Sequence, residues 1–312
     1  MEAVVTGGCG FIGSHLVQAL VGRGEKITVI DNLSTGSEAN LLGLLKARRA
    51  TLRKADLLSE GWEEGLRGVL VVYHLAADPD VRASAVRPGE VIGNNILATG
   101  RVLEAMRRHD VPRIVFTSTS TVYGEASVIP TPEDYSPLEP ISVYAASKLA
   151  CEALISSYCH SYGMQGWVFR FANIIGERSN HGVIWDFIHK LRENPRRLEI
   201  LGDGQQIKSY LEVGECVRAM LHAVDRAREP YNVFNIGSED WIDVKGIADI
   251  VVATLGLTGV EYRFTGGDRG WVGDVPRMLL SIDRLKELGW SPTLGSRESV
   301  VAAARALAGE LR

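Results

Sequence analysis

The chain has 312 residues, with 34 Lys and Arg against 38 Asp and Glu and a formal net charge of −4 at pH 7. That length supports one large domain or two joined ones around a sizeable core, and the mild negative charge leaves no electrostatic footprint for nucleic acid or an anionic membrane. The four cysteines, Cys9, Cys151, Cys159 and Cys216, form no C-x-x-C pair and no cluster with the seven histidines, which argues against a metal and for free thiols in a reducing cytoplasm; no leader or membrane-length apolar run is evident.

A β-branched strand over residues 3–6 comes first, then Gly7-Gly8-Cys9-Gly10-Phe11-Ile12-Gly13, then an apolar helical pattern. Gly8-x-Gly10-x-x-Gly13 is the dinucleotide-binding fingerprint in its required context, strand before and helix after. The spacing Gly7-x-x-Gly10-x-x-Gly13 fits as well. The glycines allow a sharp turn, close approach of backbone to a pyrophosphate, and tight helix–strand packing. The helix start at Phe11 and Ile12 then offers N–H groups and partial positive charge to the phosphates. Cys9, inside this loop, reads as a small residue packed near the cofactor. A second strand over 26–31 ends in Asp31, eighteen residues past Gly13. An acid there accepts hydrogen bonds from the adenosine ribose and repels a 2′-phosphate, so the cofactor expected is NAD rather than NADP.

Strands at 51–54, 69–74, 113–118 and 166–171 follow, and helical patterns at 95–109 and 144–162 lie between the later ones. Leu97, Val102, Leu103 and Met106 give the first of these helices an apolar face. Repeated strand–helix alternation implies an α/β fold with a doubly wound parallel sheet of the Rossmann kind. Residues 233–236 return as a further strand. The second half has shorter segments and more turn signals, as in Ser179-Asn180-His181-Gly182 and Leu201-Gly202-Asp203-Gly204. We read it as a smaller α/β substrate lobe over 173–312, after a dinucleotide-binding domain over 1–172 to which 213–237 also contributes.

Tyr144-Ala145-Ala146-Ser147-Lys148 sets a tyrosine and a lysine four apart, on one face of a helix. A free phenol titrates near ~10, too high for a base at neutral pH. A nearby ammonium and a cationic nicotinamide ring are expected to lower that value. The hydroxyl-rich run Thr117-Ser118-Thr119-Ser120-Thr121 follows the fifth strand, at the carboxyl edge where doubly wound sheets bind ligands.

The glycine loop, Asp31-Asn32-Leu33-Ser34-Thr35-Gly36, Asp56-Leu57, His74-Leu75-Ala76-Ala77, Thr119 and Tyr144-x-x-x-Lys148 together resemble the extended short-chain dehydrogenase/reductase family. Within that family the chain is similar to nucleotide-sugar epimerases, of the compact archaeal type that act on UDP-glucose and UDP-galactose. The likeness extends to Gly202-Asp203-Gly204-Gln205 and Gly266-Gly267-Asp268-Arg269-Gly270-Trp271. It implies a 4-epimerase working through a 4-keto sugar. Tyr144 is then the acid/base for the sugar 4-hydroxyl, Thr119 its hydrogen-bond partner, and Lys148 the holder of the nicotinamide ribose. NAD is held by Gly7, Gly10, Phe11, Ile12 and Gly13, by Asp31, Asn32, Ser34, Thr35 and Gly36, and by Asp56, Leu57, Leu75, Ala76, Ala77, Asn95, Thr117 and Phe171 together with Tyr144 and Lys148. The UDP-sugar meets Ser118, Thr119, Tyr144, Asn173, Gly182, Val183, Lys208 and Arg269. Lys208 stands where many relatives have an arginine on the diphosphate, and Met278 where some have a tyrosine, so N-acetylated sugars stay open. UDP-glucuronate also stays open, with Ser118 or Arg178 near its carboxylate. The family resemblance further implies a homodimer through a four-helix bundle of 95–109 and 144–162. A non-catalytic NAD-binding sensor or scaffold is the rival from another class. Dehydratases and decarboxylases of the family carry a carboxylate at 120 or 121, where this chain has Ser120 and Thr121.

Overall fold

A computed structural model of the chain describes residues 1–271 and 273–310. Its central sheet is built from β1 (Glu2–Thr6), β2 (Lys26–Asp31), β3 (Ala50–Lys54), β4 (Val71–His74), β5 (Arg113–Thr119), β6 (Gln165–Phe171) and β7 (Tyr231–Ile236). Their order is β7-β6-β5-β4-β1-β2-β3. β1 runs parallel to both of its neighbours, with Thr6 beside Ile30 on one side and His74 on the other. The chain therefore winds outward from β1 to β3, then returns to the other side of β1. That reversal leaves a crevice at the carboxyl ends of β1 and β4, the ligand position of doubly wound folds. The sheet is the parallel Rossmann architecture expected from the alternating pattern.

The strands are continuous β-branched and aromatic runs because both faces are covered. Val4, Ile30, Val72, Ile114, Phe116 and Val168 are buried in one cluster with side chains of two helices, α2 (Ala98–Arg108) and α3 (Val143–Tyr162). α3 starts at an N-cap, Ser142, whose hydroxyl accepts from the Ala145 amide at 3.1 Å, and it stops at Gly163 with φ +68°. α2 departs from expectation. It begins at Ala98, and residues Ile92–Leu97 form a π turn before it. The wider turn rotates the apolar stripe: Val102, Leu103 and Met106 are fully buried, whereas Leu97 faces solvent at 59% exposure.

Contacts group the chain into two compact units. The first holds Met1–Val122, Glu139–Arg170 and Met220–Phe234; the second holds Tyr123–Leu138, Phe171–Ala219 and the chain from Asn235 onward. The segment Tyr123–Leu138 goes with the second unit although it precedes residue 172, and Asn235 shows why. Its side-chain amide donates to the carbonyls of Thr131 and Ser281 at 2.9 Å each, its backbone amide donates to Glu133 at 2.9 Å, and its carbonyl oxygen accepts from the Tyr123 hydroxyl at 2.7 Å. The second unit contains short paired strands, Asn173–Ile175 with Tyr210–Glu212 and Arg197–Ile200 with Glu261–Phe264, both parallel. Its core is Ile184, Phe187, Ile188 and Leu191 of one helix, Ile247 and Val251 of a second, and Val300, Ala303 and Leu307 of a third.

Among the described residues, no helix is long and apolar enough to cross a membrane. All four cysteines are buried and free.

Candidate active site

The glycine loop leads from β1 into helix α1 (Phe11–Gly22), whose N-cap is Gly10; no side chain caps it. The N–H groups of the first turn therefore remain for a ligand. Gly7 has φ +69°, and a Cβ there would lie 2.6 Å from the Ala76 amide nitrogen. The loop thus packs directly on the backbone of Leu75 and Ala76 beyond β4. A hydrogen bond of 3.3 Å from the Ala76 amide to the Thr6 hydroxyl seals the same junction.

Asp31, 7% exposed, ties the loop to the end of β2. One carboxylate oxygen accepts from the Cys9 amide at 2.9 Å and the other from the Leu33 amide at 2.8 Å. A carboxylate has further lone pairs to spare, so these bonds orient it without exhausting it. Asn32 reaches the end of β3, its amide donating to Asp56 at 3.1 Å, while its carbonyl accepts from the Ser34 amide at 3.0 Å. Beyond Ser34 and Thr35, Gly36 lies against Cys9, where a Cβ would come within 2.8 Å of the Cys9 carbonyl carbon. Asp56 turns the chain by accepting from the Leu58 amide at 2.8 Å, and Leu57 is buried. The residues expected around the adenosine are thus drawn together at the ends of β1, β2 and β3.

Beside them, His74 at the end of β4 is fully buried, bonded to the Thr6 hydroxyl at 2.7 Å and the Thr99 hydroxyl at 2.9 Å. Burial, with the Lys148 charge adding to it, lowers His74 to about 3, so the imidazole is neutral and structural at physiological pH. Asn95, in the π turn, spends its amide on protein partners. Its oxygen accepts from the Asp78 amide just beyond Ala77 at 2.8 Å, and its nitrogen donates to Ser147 at 2.8 Å.

The carboxyl end of β5 carries the reactive group. Thr117, Ser118 and Thr119 are all nearly buried, at 8%, 4% and 8% exposure. The Thr119 hydroxyl meets that of Thr121 at 3.0 Å and accepts from the Thr121 amide at 3.2 Å, and its side chain acts on the Tyr144 phenol in favour of the charged form. The Lys148 ammonium donates to the Thr117 carbonyl at 2.9 Å and lies 4.7 Å from the centre of the Phe116 ring. The acidification expected from Lys148 and a cationic nicotinamide ring together has burial to overcome. Burial pushes Tyr144 up to about 12, opposed by the Thr119 hydrogen bond. Lys148 itself is pushed down to about 8, because burial disfavours its charge more than neighbouring Glu152 supports it. The ammonium is held against the strand end by Thr117 and Phe116.

Ser118 also differs from expectation. Its hydroxyl donates to Glu152, a buried carboxylate on α3 that Arg170 of β6 grips at 2.7 Å. The Ser118 proton is thus directed at Glu152 rather than at a sugar carboxylate, and its lone pairs remain for an acceptor role. Glu152, Arg170 and Ser147 are the site neighbours that the sequence motifs did not reveal. The signal for Glu152 was its spacing, two turns past Tyr144 on the same helix face. For Arg170 it was a cation inside an otherwise apolar strand.

In the second unit, Phe171 is buried and Asn173 stands opposite Tyr210, its side-chain amide donating to the Ser209 carbonyl at 3.0 Å. Gly182 has φ +95° and begins the helix Val183–Glu193 without a side-chain cap. Lys208 is paired with the buried Asp274 at 2.5 Å, and its ammonium lies 5.2 Å from the Trp271 ring centre. Arg269 pairs with Glu125 and donates to the Asp274 carbonyl at 3.2 Å. Lys208 and Arg269 thus converge on Asp274, and each already has a carboxylate partner. Met278 faces Lys208 in register, and Arg178 pairs with Glu177 at 3.3 Å.

An uncapped glycine-rich helix start at a sheet switch point, an acid at the end of β2, and a tyrosine–lysine pair at the end of β5 define an NAD-dependent enzyme of the short-chain dehydrogenase/reductase type. The comparisons specify it further. Residues 3–237 match the model of the NAD dependent epimerase/dehydratase family, and the chain belongs to that family. A Methanocaldococcus jannaschii protein provisionally named as a UDP-glucose 4-epimerase is 34% identical over 95% of each chain. A solved UDP-galactose 4-epimerase is 44% identical and superposes over 100% of both chains with a TM-score of 0.90. The Thermotoga maritima UDP-glucose 4-epimerase, solved with UDP-glucose, is 31% identical with the same coverage and a TM-score of 0.90. NAD is the cofactor, and the Gly7–Gly13 cradle and the open start of α1 fit its pyrophosphate.

Proposed function

We propose that this protein is a UDP-hexose 4-epimerase that interconverts UDP-galactose and UDP-glucose. The observation that carries the reading is Tyr144 and Lys148 four apart on α3 at the carboxyl end of β5, where Lys148 donates to the Thr117 carbonyl and the Thr119 side chain acts on the Tyr144 phenol. NAD supplies, when bound, the acceptor and later donor of the hydride at C4, and its cationic ring favours the phenolate that burial alone opposes. Tyr144 takes the proton of the sugar 4-hydroxyl as C4 is oxidised and returns it after the keto sugar has presented its other face. Thr119 orients the phenol and the 4-oxygen along one line, and Lys148 braces the strand end and the ribose side of the cofactor. Asp31 and Asn32 hold the adenosine ribose, Asp56 and Leu57 the adenine. Asn173, Gly182, Val183, Lys208 and Arg269 hold the uridine diphosphate. For the last two, binding means exchanging Asp274 and Glu125 for phosphate oxygens.

Epimerisation is favoured over elimination or decarboxylation because the positions after Thr119 carry hydroxyls. Thr121 uses its hydroxyl on Thr119 and brings no carboxyl acid or base. Purified protein that retains NAD should convert UDP-galactose to UDP-glucose without added cofactor. Absence of product from NAD-loaded protein rejects the assignment.

The same reading includes a homodimer in the cytoplasm. The π turn leaves Ile92 and Leu97, and α3 leaves Tyr162, at 43%, 59% and 54% exposure, apolar side chains that a partner copy would cover. Light scattering should return twice the mass of one chain, and Leu97→Glu should shift the protein to monomer. A wild-type monomer overturns the dimer.

A further inference from the structure

Three residues of α3, Tyr144, Lys148 and Glu152, recur every four positions and so share one face of the helix. Each meets one of three consecutive residues at the carboxyl end of β5. The Tyr144 phenol is acted on by the Thr119 side chain, Lys148 bonds the Thr117 carbonyl at 2.9 Å, and Glu152 bonds the Ser118 hydroxyl. The first two belong to the chemistry proposed above; the third does not. Glu152 is fixed from its far side by Arg170 of β6. The guanidinium places Nε at 3.1 and 3.2 Å from the two carboxylate oxygens and Nη2 at 2.7 Å from one of them. The side chains of Arg170 and Glu152 are only 6% and 3% exposed. An ion pair this deep recovers little net stability over well-packed apolar side chains. What a forked guanidinium does provide is a single orientation of the carboxylate, and hence a single position for the Ser118 hydroxyl.

We infer that Arg170 and Glu152 form a buried clamp that acts through Ser118 to hold the Thr119 hydroxyl in register with Tyr144. Ser118, Glu152 and Arg170 are positioning residues: they touch neither sugar nor cofactor, and they fix the two hydroxyls that do. The inference rests on the epimerase reading for its kinetic consequence and on geometry alone for its structural one.

Ser118→Ala removes the link and leaves the Glu152–Arg170 pair whole, so the fold is retained. With UDP-galactose as substrate, kcat should fall about tenfold, the worth of one positioning hydrogen bond, with KM unchanged. In a Thr119→Ala background the same substitution should cost nothing further, because its target is gone. Crystal structures of Ser118→Ala and wild type should differ in the position of the Thr119 hydroxyl relative to Tyr144. Wild-type kcat in Ser118→Ala, an equal loss in the Thr119→Ala background, or a Thr119 hydroxyl unmoved relative to Tyr144 in the crystal each overturns the clamp. Wild-type protein that leaves UDP-galactose unconverted sinks the epimerase reading instead, and the crystal then decides the clamp by itself.

Discussion

Tyr144→Phe should lower kcat for UDP-galactose conversion about a thousandfold, the range removed with a positioned general acid–base. It should leave the fold and the NAD content of the purified protein unchanged. Phenylalanine keeps the ring that packs at the start of α3 and deletes one oxygen. The structural loss is one phenolic oxygen and its interaction with Thr119, at most about 1 kcal/mol of stability. The chemical loss is much larger because the other groups around β5 named above are committed elsewhere. Lys148 is committed to the Thr117 carbonyl, His74 is enclosed between Thr6 and Thr99, and Glu152 is taken by Arg170 and Ser118. The comparison also separates an enzyme from an NAD-binding sensor or scaffold, whose ligand binding the substitution would not disturb. The measurement is turnover at saturating UDP-galactose beside cofactor content from the absorbance of released NAD. A kcat within tenfold of wild type would remove Tyr144 from the proton transfer.

What the sequence made legible follows from how local the signals are. The sheet was readable because each strand is a short β-branched run bounded by turn residues and followed by a helical period. β2 matches its expected span, and the other six sheet strands differ by one or two residues at their ends. The cofactor cradle was readable because a glycine fingerprint and an acid one strand later are contiguous signals. The π turn at Ile92–Leu97 was not, since a widened turn is a property of backbone hydrogen bonding that leaves the side-chain pattern nearly intact; Leu97 therefore looked like core and lies in solvent. The pairing of Lys208 with Asp274 spans 66 residues and that of Ser118 with Glu152 spans 34. No periodicity links such positions, so the residues could be named as chemistry and not as partners. The phenol shows the same division. Its neighbours in sequence were legible, but its titration depends on burial, which is set by tertiary packing.

Gly13→Ala should abolish NAD retention and lower stability by about 3 kcal/mol, a drop of roughly 5–10 °C in the unfolding midpoint. The added Cβ would lie 2.2 Å from the Gly7 carbonyl oxygen and 2.8 Å from the Gly8 Cα. Those are backbone atoms of the loop, so no side-chain rotation relieves the clash. Either α1 lifts from β1 or the loop opens, and both move the first-turn N–H groups away from where a pyrophosphate would sit. In an exposed helix interior the same change stabilises, because alanine restricts the unfolded chain more than glycine does. Gly43, where an added Cβ meets nothing within 4 Å, is the internal control: Gly43→Ala should keep NAD and raise the midpoint slightly. Thermal unfolding followed by circular dichroism, with cofactor content measured on the same samples, reads both variants. If Gly13→Ala retains NAD at the wild-type level, the tight packing of α1 on the glycine loop is not what holds the cofactor.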